Sequence, residues 1–234
     1  MINSNLRNRK YLGSIVFSRM KKWSRAGIEN EFDKVIFENA AIKKVLVVGG
    51  FGPVLNYIKT SFPNLHLTTL DIDENHKPDL LADLSDPNLL NEIDGNYDLI
   101  VIVEVLEHIH HYLAALRNIY GLLEDNGILF GSTPWLMPIH DAPYDFLRFS
   151  HYEISRSLQE VGFSQYTILG RGNIYDVVIL LGFRGLLERN FGGKVLTIFA
   201  FFLSFLKKTP KLHDIPIGFT YGYVFRAQKS ETYP

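Results

Sequence analysis

Apolar and polar positions fall in blocks along the chain, short β-branched runs alternating with stretches of helical spacing. Lys44-Val-Leu-Val-Val48 reads as a buried strand that runs into Gly49, Gly50 and Gly52, with a helix over 53–61. Further strands are predicted at 65–70 and 79–82, the second leading to Asp83. Tyr97 to Val103 is a continuous apolar run, as in a strand covered on both faces. A helix over 109–123 follows, with Leu113, Leu116, Ile119, Tyr120 and Leu123 on one face; Asp125-Asn-Gly127 ends it, and Ile128 to Ser132 is the next strand. Ser150-His-Tyr-Glu153 has the form of a capping box, so a helix runs to about Glu160 and closes at Gly162. Phe163 to Leu169 reads as a strand. Phe219 to Ala227, with Tyr221, Tyr223 and Phe225 alternating, reads as its antiparallel partner. Strands alternating with helices imply an α/β fold with a mostly parallel, doubly wound sheet. Ligands of such sheets bind beyond the carboxyl ends of the strands.

Two segments lie outside this pattern. Residues 1–40 form an N-terminal helical basic arm, with apolar faces at Ile15, Val16, Met20 and Trp23 and at Phe32, Val35, Ile36 and Phe37. Residues 41–234 form the main domain, which carries a hydrophobic helical insertion at 171–217 that the sheet does not need. Within the insertion, Val195 to Leu206 is an apolar run of 12 residues followed by Lys207 and Lys208. That is short of the ~20 residues a helix needs to cross a bilayer. Two readings stand: a buried cap over a pocket, or an interfacial helix that makes peripheral membrane contact through 195–208 together with the basic N-terminus.

Composition narrows the function classes. The chain of 234 residues suits one α/β domain with additions, and 47% hydrophobic with 21% charged residues is ordinary globular composition. A net charge of −1 gives no field for nucleic acid. Cysteine is absent, which removes disulfides, thiolate metal sites and a cysteine nucleophile. No secretory signal is visible, so a cytoplasmic location, at the inner face of a membrane if the greasy segment docks there, is the expectation.

Candidate chemistry sits at the predicted strand ends. The glycine turn lets backbone approach a ligand, the helix start after it offers free N–H groups, and Asp71 follows about 20 residues later, where a carboxylate reaches ribose hydroxyls. Pro134 to Ser150 is a loop rich in proline, aromatic and ionisable residues. Its His140 is the choice for general base, because an imidazole titrates near neutrality. Asp141 or Asp145 would orient that ring, Arg148 would bind an anionic or polyhydroxylated acceptor, and Tyr144, Trp135 and Phe146 would form a wall. The competing reading of the loop is a structural Asp145–Arg148 ion pair.

The glycine turn, Asp71, Asp83 and Tyr97-Asp-Leu-Ile-Val-Ile-Val-Glu-Val-Leu-Glu-His108 together resemble the class I S-adenosylmethionine-dependent methyltransferases, over about residues 43–170. The style is that of small-molecule enzymes of glycan and lipid biosynthesis. The resemblance implies a Rossmann-like fold, a seven-stranded mostly parallel sheet with a C-terminal antiparallel hairpin, and S-adenosyl-L-methionine as cofactor. It places Gly49, Gly50 and Gly52 under the methionine part of that cofactor, Asp71 and Ile72 at the ribose, Asp83 and Leu84 at the adenine, and Glu104 at the end of the fourth strand. The implied reaction is methyl transfer to oxygen, less readily nitrogen, of a small-molecule, glycan or lipid-linked acceptor.

Several features bear on that expectation. The family usually has an acidic residue where this chain has Val47 and a more open glycine series where it has Phe51 and Pro53. A non-catalytic binding or scaffold protein on the same fold is therefore the alternative. Short-chain dehydrogenases share the glycine opening but use Tyr-x-x-x-Lys, and no tyrosine here has a lysine four residues on. Nucleic-acid methylation is disfavoured by the lack of an Asn/Asp-Pro-Pro-Tyr-type motif. Glu104, Glu107, His108, His110 and His111 form a second ionisable cluster, similar to the Glu-x-x-Glu-His stretch that quinone O-methyltransferases link to a divalent cation. A helix start near Glu104 accounts for Glu107 without a metal, so none is assigned.

Overall fold

A computed structural model describes residues 25–50, 52–172, 176–178, 195, 199, 202 and 220–230. The expectations for residues 1–24, for Phe51 and for most of the 171–217 insertion lie outside the described residues. The chain divides into two compact units, Glu29–Ile168 with Tyr223–Pro234, and Met1–Ile28 with Leu169–Gly222.

A helix α1 over 25–38 precedes β1 (Lys44–Val48), α2 (Pro53–Ser61), β2 (His66–Asp71), β3 (Leu80–Leu81) and α3 (Leu89–Glu92). Then follow β4 (Tyr97–Val103), α4 (Tyr112–Leu122), β5 (Leu123–Pro134), α5 (His151–Val161), β6 (Gln165–Arg171) and β7 (Gly222–Gln228). The seven strands form one sheet in the order β3-β2-β1-β4-β5-β7-β6. β1, β2, β3, β4 and β5 are mutually parallel, so Gly49, Asp71, Glu104 and Pro134 emerge at the same edge. β7 runs the other way: Lys229 N–H donates to Gly127 at the start of β5 (2.9 Å), and Ser230 lies beside Ser164, ahead of β6 (2.8 Å). This is the predicted sheet with its antiparallel end, in the Rossmann-like arrangement.

The central strand explains why the run at 97–103 has no polar alternation. Leu99, Ile100, Val101 and Ile102 are all fully buried, as a strand with helices on both faces requires. Against it pack Leu116, Ile119 and Leu122 of α4 and Ile154 and Leu158 of α5. In α1, Phe32 and Val35 are buried, and Phe32 stacks edge-on against Phe130 at 5.5 Å. Phe37, expected on the same apolar face, is 77% exposed, because it lies about 140° round the helix from Phe32.

Three local expectations are corrected. The helix predicted from 109 begins at Tyr112, since Leu106–His108 forms a separate 3-10 turn. Asp125-Asn-Gly127 is no helix stop: β5 already starts at Leu123, and the register slips from Tyr97↔Leu123 to Leu99↔Ile128, so these residues are a bulge with Asn126 at φ 64°. Ser150 caps α5 by accepting from Glu153 N–H. The Glu153 carboxylate, however, turns to Tyr112 and Arg156 instead of back to the cap, and that pairing holds it down at about 2, Arg156 being the main cause.

Among the described residues no helix is long and apolar enough to cross a membrane. In the unit containing Leu169–Gly222, Thr220 Oγ1 donates to the carbonyls of Arg171 and Gly222, and the Arg171 guanidinium lies 4.7 Å over the Tyr221 ring.

Candidate active site at the carboxyl edge of the sheet

The edge is assembled from backbone before any side chain takes part. Gly49 N–H donates to Leu70 at 2.9 Å, which locks the turn after β1 to the end of β2. Gly49 has φ 68°, and a Cβ there would lie 2.6 Å from Val105; at Gly50 a Cβ would lie 2.5 Å from the Thr69 Cβ. Both positions are closed to larger residues by steric contact. Gly52 has φ 86°, and among the described residues nothing lies within 4 Å of where its Cβ would stand. Val47, at the position where an acid was expected, is a core residue at 4% exposure, paired with Thr69 and Val101.

At the end of β2, Asp71 is buried. Its Oδ1 accepts from Asp73 N–H at 2.9 Å and its Oδ2 lies 3.0 Å from His76 Nδ1. Each oxygen keeps a lone pair for a hydroxyl. Beside it Ile72 is 71% exposed, an apolar surface at the turn. Asp83 holds Ser85 through N–H and Oγ, and the Leu84 side chain is itself part of the core. Asn118 of α4 fixes this segment by donating to Leu84 (2.8 Å) and Asp86 (2.7 Å). Sequence reading passed over Asn118 because its buried position became visible only with α4 packed.

The other half of the site comes from far along the chain. Glu104 follows β4 with φ 55°, and its carboxylate accepts from Ser132 Oγ at 2.9 Å. The loop between β5 and α5 is tied to the turn after β4: Phe146 and Leu147 N–H both donate to Glu107 C=O, and Tyr144 C=O lies 3.0 Å from His108 Nδ1. His140 is thereby set between two carboxylates, Nδ1 3.2 Å from Asp145 and Nε2 3.7 Å from Glu107. Glu107 raises the His140 pKa most, burial opposes this, and Asp145 adds to the rise.

Arg148, expected to bind an acceptor, spends its donors within the loop. Its five N–H groups go to both Asp145 oxygens and to the carbonyls of Met137, Leu147 and Pro138. Arg148 in turn holds the Asp145 carboxyl well below the usual carboxylate range. The pair locks the loop that carries His140, and Asp145 rather than Asp141 faces the imidazole. Tyr144 and Phe146 are exposed at the loop surface with their rings 6.4 Å apart, while Trp135 packs against the core.

Glu107 is the residue whose environment sequence reading misjudged. It belongs to the 3-10 turn, five residues before α4 begins, so no α-helix start accounts for it. Its side chain is fully buried, neither carboxylate oxygen has a hydrogen-bond partner, and burial pushes its pKa up. Such a group costs several kcal/mol unless something compensates it. The signal was present as a glutamate following the apolar run of β4, but its burial depends on the 134–150 loop closing over it.

A sequence model described as a methyltransferase domain matches residues 33–166. No curated protein matches the chain. Solved structures similar in fold include an S-adenosylmethionine-dependent methyltransferase from Archaeoglobus fulgidus, at 15% identity and TM-score 0.56, covering 86% of this chain and 93% of that one. A putative methyltransferase from Bacillus halodurans aligns at 16% identity and TM-score 0.51, covering 85% and 98%. A Haemonchus contortus phosphoethanolamine N-methyltransferase bound to phosphomonomethylethanolamine and S-adenosylhomocysteine aligns at 14% identity and TM-score 0.52, covering 81% of this chain and 49% of that one.

Proposed function

This chain belongs to the S-adenosylmethionine-dependent methyltransferase family, and from that premise we propose that it methylates an oxygen, less readily a nitrogen, of a small-molecule, glycan or lipid-linked acceptor. The observation that carries this reading is His140, held between Asp145 and Glu107 beside the edge where the glycine turn and Asp71 emerge. The cofactor supplies a sulfonium methyl group, so what the protein must add is alignment, exclusion of water and removal of the acceptor proton. Gly49, Gly50 and Gly52 would seat the methionine part, and Asp71 with Ile72 the ribose. Asp83 and the Leu84 backbone would meet the adenine, and Glu104 the end near the reacting centre. His140 is the proposed base. Asp145 and Arg148 act through it as positioning residues, and Tyr144 offers an exposed ring to the acceptor.

Titration calorimetry with S-adenosylmethionine and S-adenosylhomocysteine tests the cofactor half. Micromolar affinity that falls in Asp71→Ala is expected. No binding at millimolar concentration would bring forward the alternative that Val47 admits, a non-catalytic binding protein on the same fold. For the acceptor half, His140→Ala should keep cofactor affinity and lose about 10²–10⁴-fold in kcat; full activity in that variant would remove the base assignment.

Peripheral membrane contact is supported by Val195, Phe199 and Phe202, three exposed apolar side chains at helical spacing, and by the basic residues of the N-terminus. Flotation with anionic liposomes should carry the intact chain and not a variant with Phe199→Ser and Phe202→Ser; failure of the intact chain to float ends the idea.

A further inference from the structure

Glu107, His108 and His140 meet in a way that hydrogen bonding does not explain. His108 Nε2 lies 3.8 Å and His140 Nε2 3.7 Å from the same oxygen, Oε1 of Glu107. Both separations exceed a hydrogen bond. Two ligands of one ion with bonds of ~2.0–2.1 Å and tetrahedral angles stand roughly 3.3 Å apart, so a small closing motion brings this set into register. One ligand atom from each of the three residues lies within 4.8 Å of the others.

The atoms behind the rings agree. His108 Nδ1 lies 3.0 Å from Tyr144 C=O, which can only accept, so Nδ1 carries the hydrogen and Nε2 presents its lone pair. His140 Nδ1 lies 3.2 Å from the Asp145 carboxylate without hydrogen-bond geometry, while Asp145 accepts from the His140 backbone N–H at 2.8 Å and is itself clamped by Arg148. A carbonyl hydrogen-bonded behind His108 is the kind of outer group that fixes a metal-ligating histidine, and the Asp145 carboxylate stands where a slight turn of the His140 ring would give it the same support. Within the set, the Glu107 carboxylate is completely buried without a hydrogen-bond partner, while His108 and His140 retain 22% and 26% exposure, which leaves the group reachable from one side.

We propose that Glu107, His108 and His140 bind a divalent first-row transition cation of the Zn²⁺ or Co²⁺ type. Two imidazole nitrogens and one carboxylate suit such ions better than Mg²⁺ or Ca²⁺, which take oxygen ligands. The positive charge compensates the buried carboxylate. Glu104 is not part of the set, because its carboxylate accepts from Ser132. Three protein ligands leave a fourth position open, as in catalytic rather than structural sites.

The site stands on geometry alone; its use in catalysis rests on the methyl-transfer reading above. With the cation in place, an acceptor hydroxyl at the open position becomes more acidic and releases its proton to solvent. The oxygen then forms its bond to the methyl carbon as the carbon–sulfur bond breaks, the electron pair staying on sulfur. Proton and cation compete for the same His140 nitrogen, so the ring is a base when the site is empty and a ligand when it is filled.

The test is a Co²⁺ titration of the untagged full chain, followed by its visible absorption, with Zn²⁺ as competitor. One equivalent should bind and be displaced by Zn²⁺. Affinity should fall about tenfold or more in His108→Ala, His140→Ala and Glu107→Gln. His110→Ala and His111→Ala, nearby histidines outside the set, should bind as the parent does. Melting curves without cation guard against misfolding: Glu107→Gln keeps its volume and loses a buried charge, so it should melt no lower than the parent. No stoichiometric Co²⁺ band, or a band that survives in well-folded His108→Ala or Glu107→Gln, overturns the proposal. S-adenosylmethionine calorimetry on the same samples reports the methyl-transfer reading separately, since the cation titration needs neither cofactor nor acceptor.

Discussion

The two halves of the carboxyl edge are built on opposite principles. Around Gly49 to Gly52, Asp71 and Asp83 the chain uses backbone, local turns and neighbouring strands; the side chains that matter lie within a few residues of a strand end. Around His140 it uses side chains brought together from Glu104 to Arg148, including a buried carboxylate without a hydrogen-bond partner and an arginine with every donor spent. The first half would suit a ligand of fixed shape under the proposed cofactor role, for which a preset backbone suffices. The second half gathers charged groups, one of them a buried carboxylate that costs stability, as the proposed acceptor side would need.

The largest effect expected from breaking this contrast is in the loop. Arg148→Ala leaves the Asp145 carboxylate, 1% exposed, with His140 alone for a partner, and should destabilise the fold by about 3 kcal/mol in urea unfolding. Loss of less than about 1 kcal/mol would mean that the loop is not locked by this pair. On the cofactor side the matching lesion is steric. Gly49→Ala meets Val105 at 2.6 Å from a left-handed backbone, and about 3 kcal/mol is expected from strain and overpacking together, with weakened cofactor binding on calorimetry.

The smallest effect is in the pH response. His140 has a pKa raised by Glu107 and Asp145, so its contribution to stability is complete below the ordinary imidazole value and is lost as pH rises through the higher folded value. A base works in its neutral form, so kcat should climb through that same window while stability falls slightly. Asp145→Asn should move the inflection in kcat to lower pH. Asp145 itself behaves oppositely: its depressed pKa gives stability that is present above the ordinary carboxylate value and is lost only as pH falls well below it.

The element pattern was legible from the residues because the parallel strands are so apolar. Val45 to Val48 and Leu99 to Ile102 can only be covered on both faces, and helical spacing between such runs leaves few topologies. Gly49, Gly50, Gly52 and Asp71 were legible for the same reason, since strand ends and φ-permissive turns are local properties. The bulge at Asp125-Asn-Gly127 was not, because a turn-forming tripeptide says nothing about the strand already paired at Leu123.

The acceptor half divides more finely. Residue types alone picked out His140 with Asp141 or Asp145 as its partner, and they leave open which carboxylate faces the ring and whether Arg148 turns outward to a ligand or inward to Asp145. Only the folded loop decides that, by supplying the Met137, Leu147 and Pro138 carbonyls that take the remaining donors. Glu107 is the clearest case. In the sequence it is an acid after an apolar run, free to be a solvated turn residue; its burial, its missing partners and its two histidine neighbours are set by a loop more than 25 residues further on. Local hydrophobic pattern determined the sheet, whereas the electrostatics of the site were decided by which side chains the tertiary structure shuts away from water.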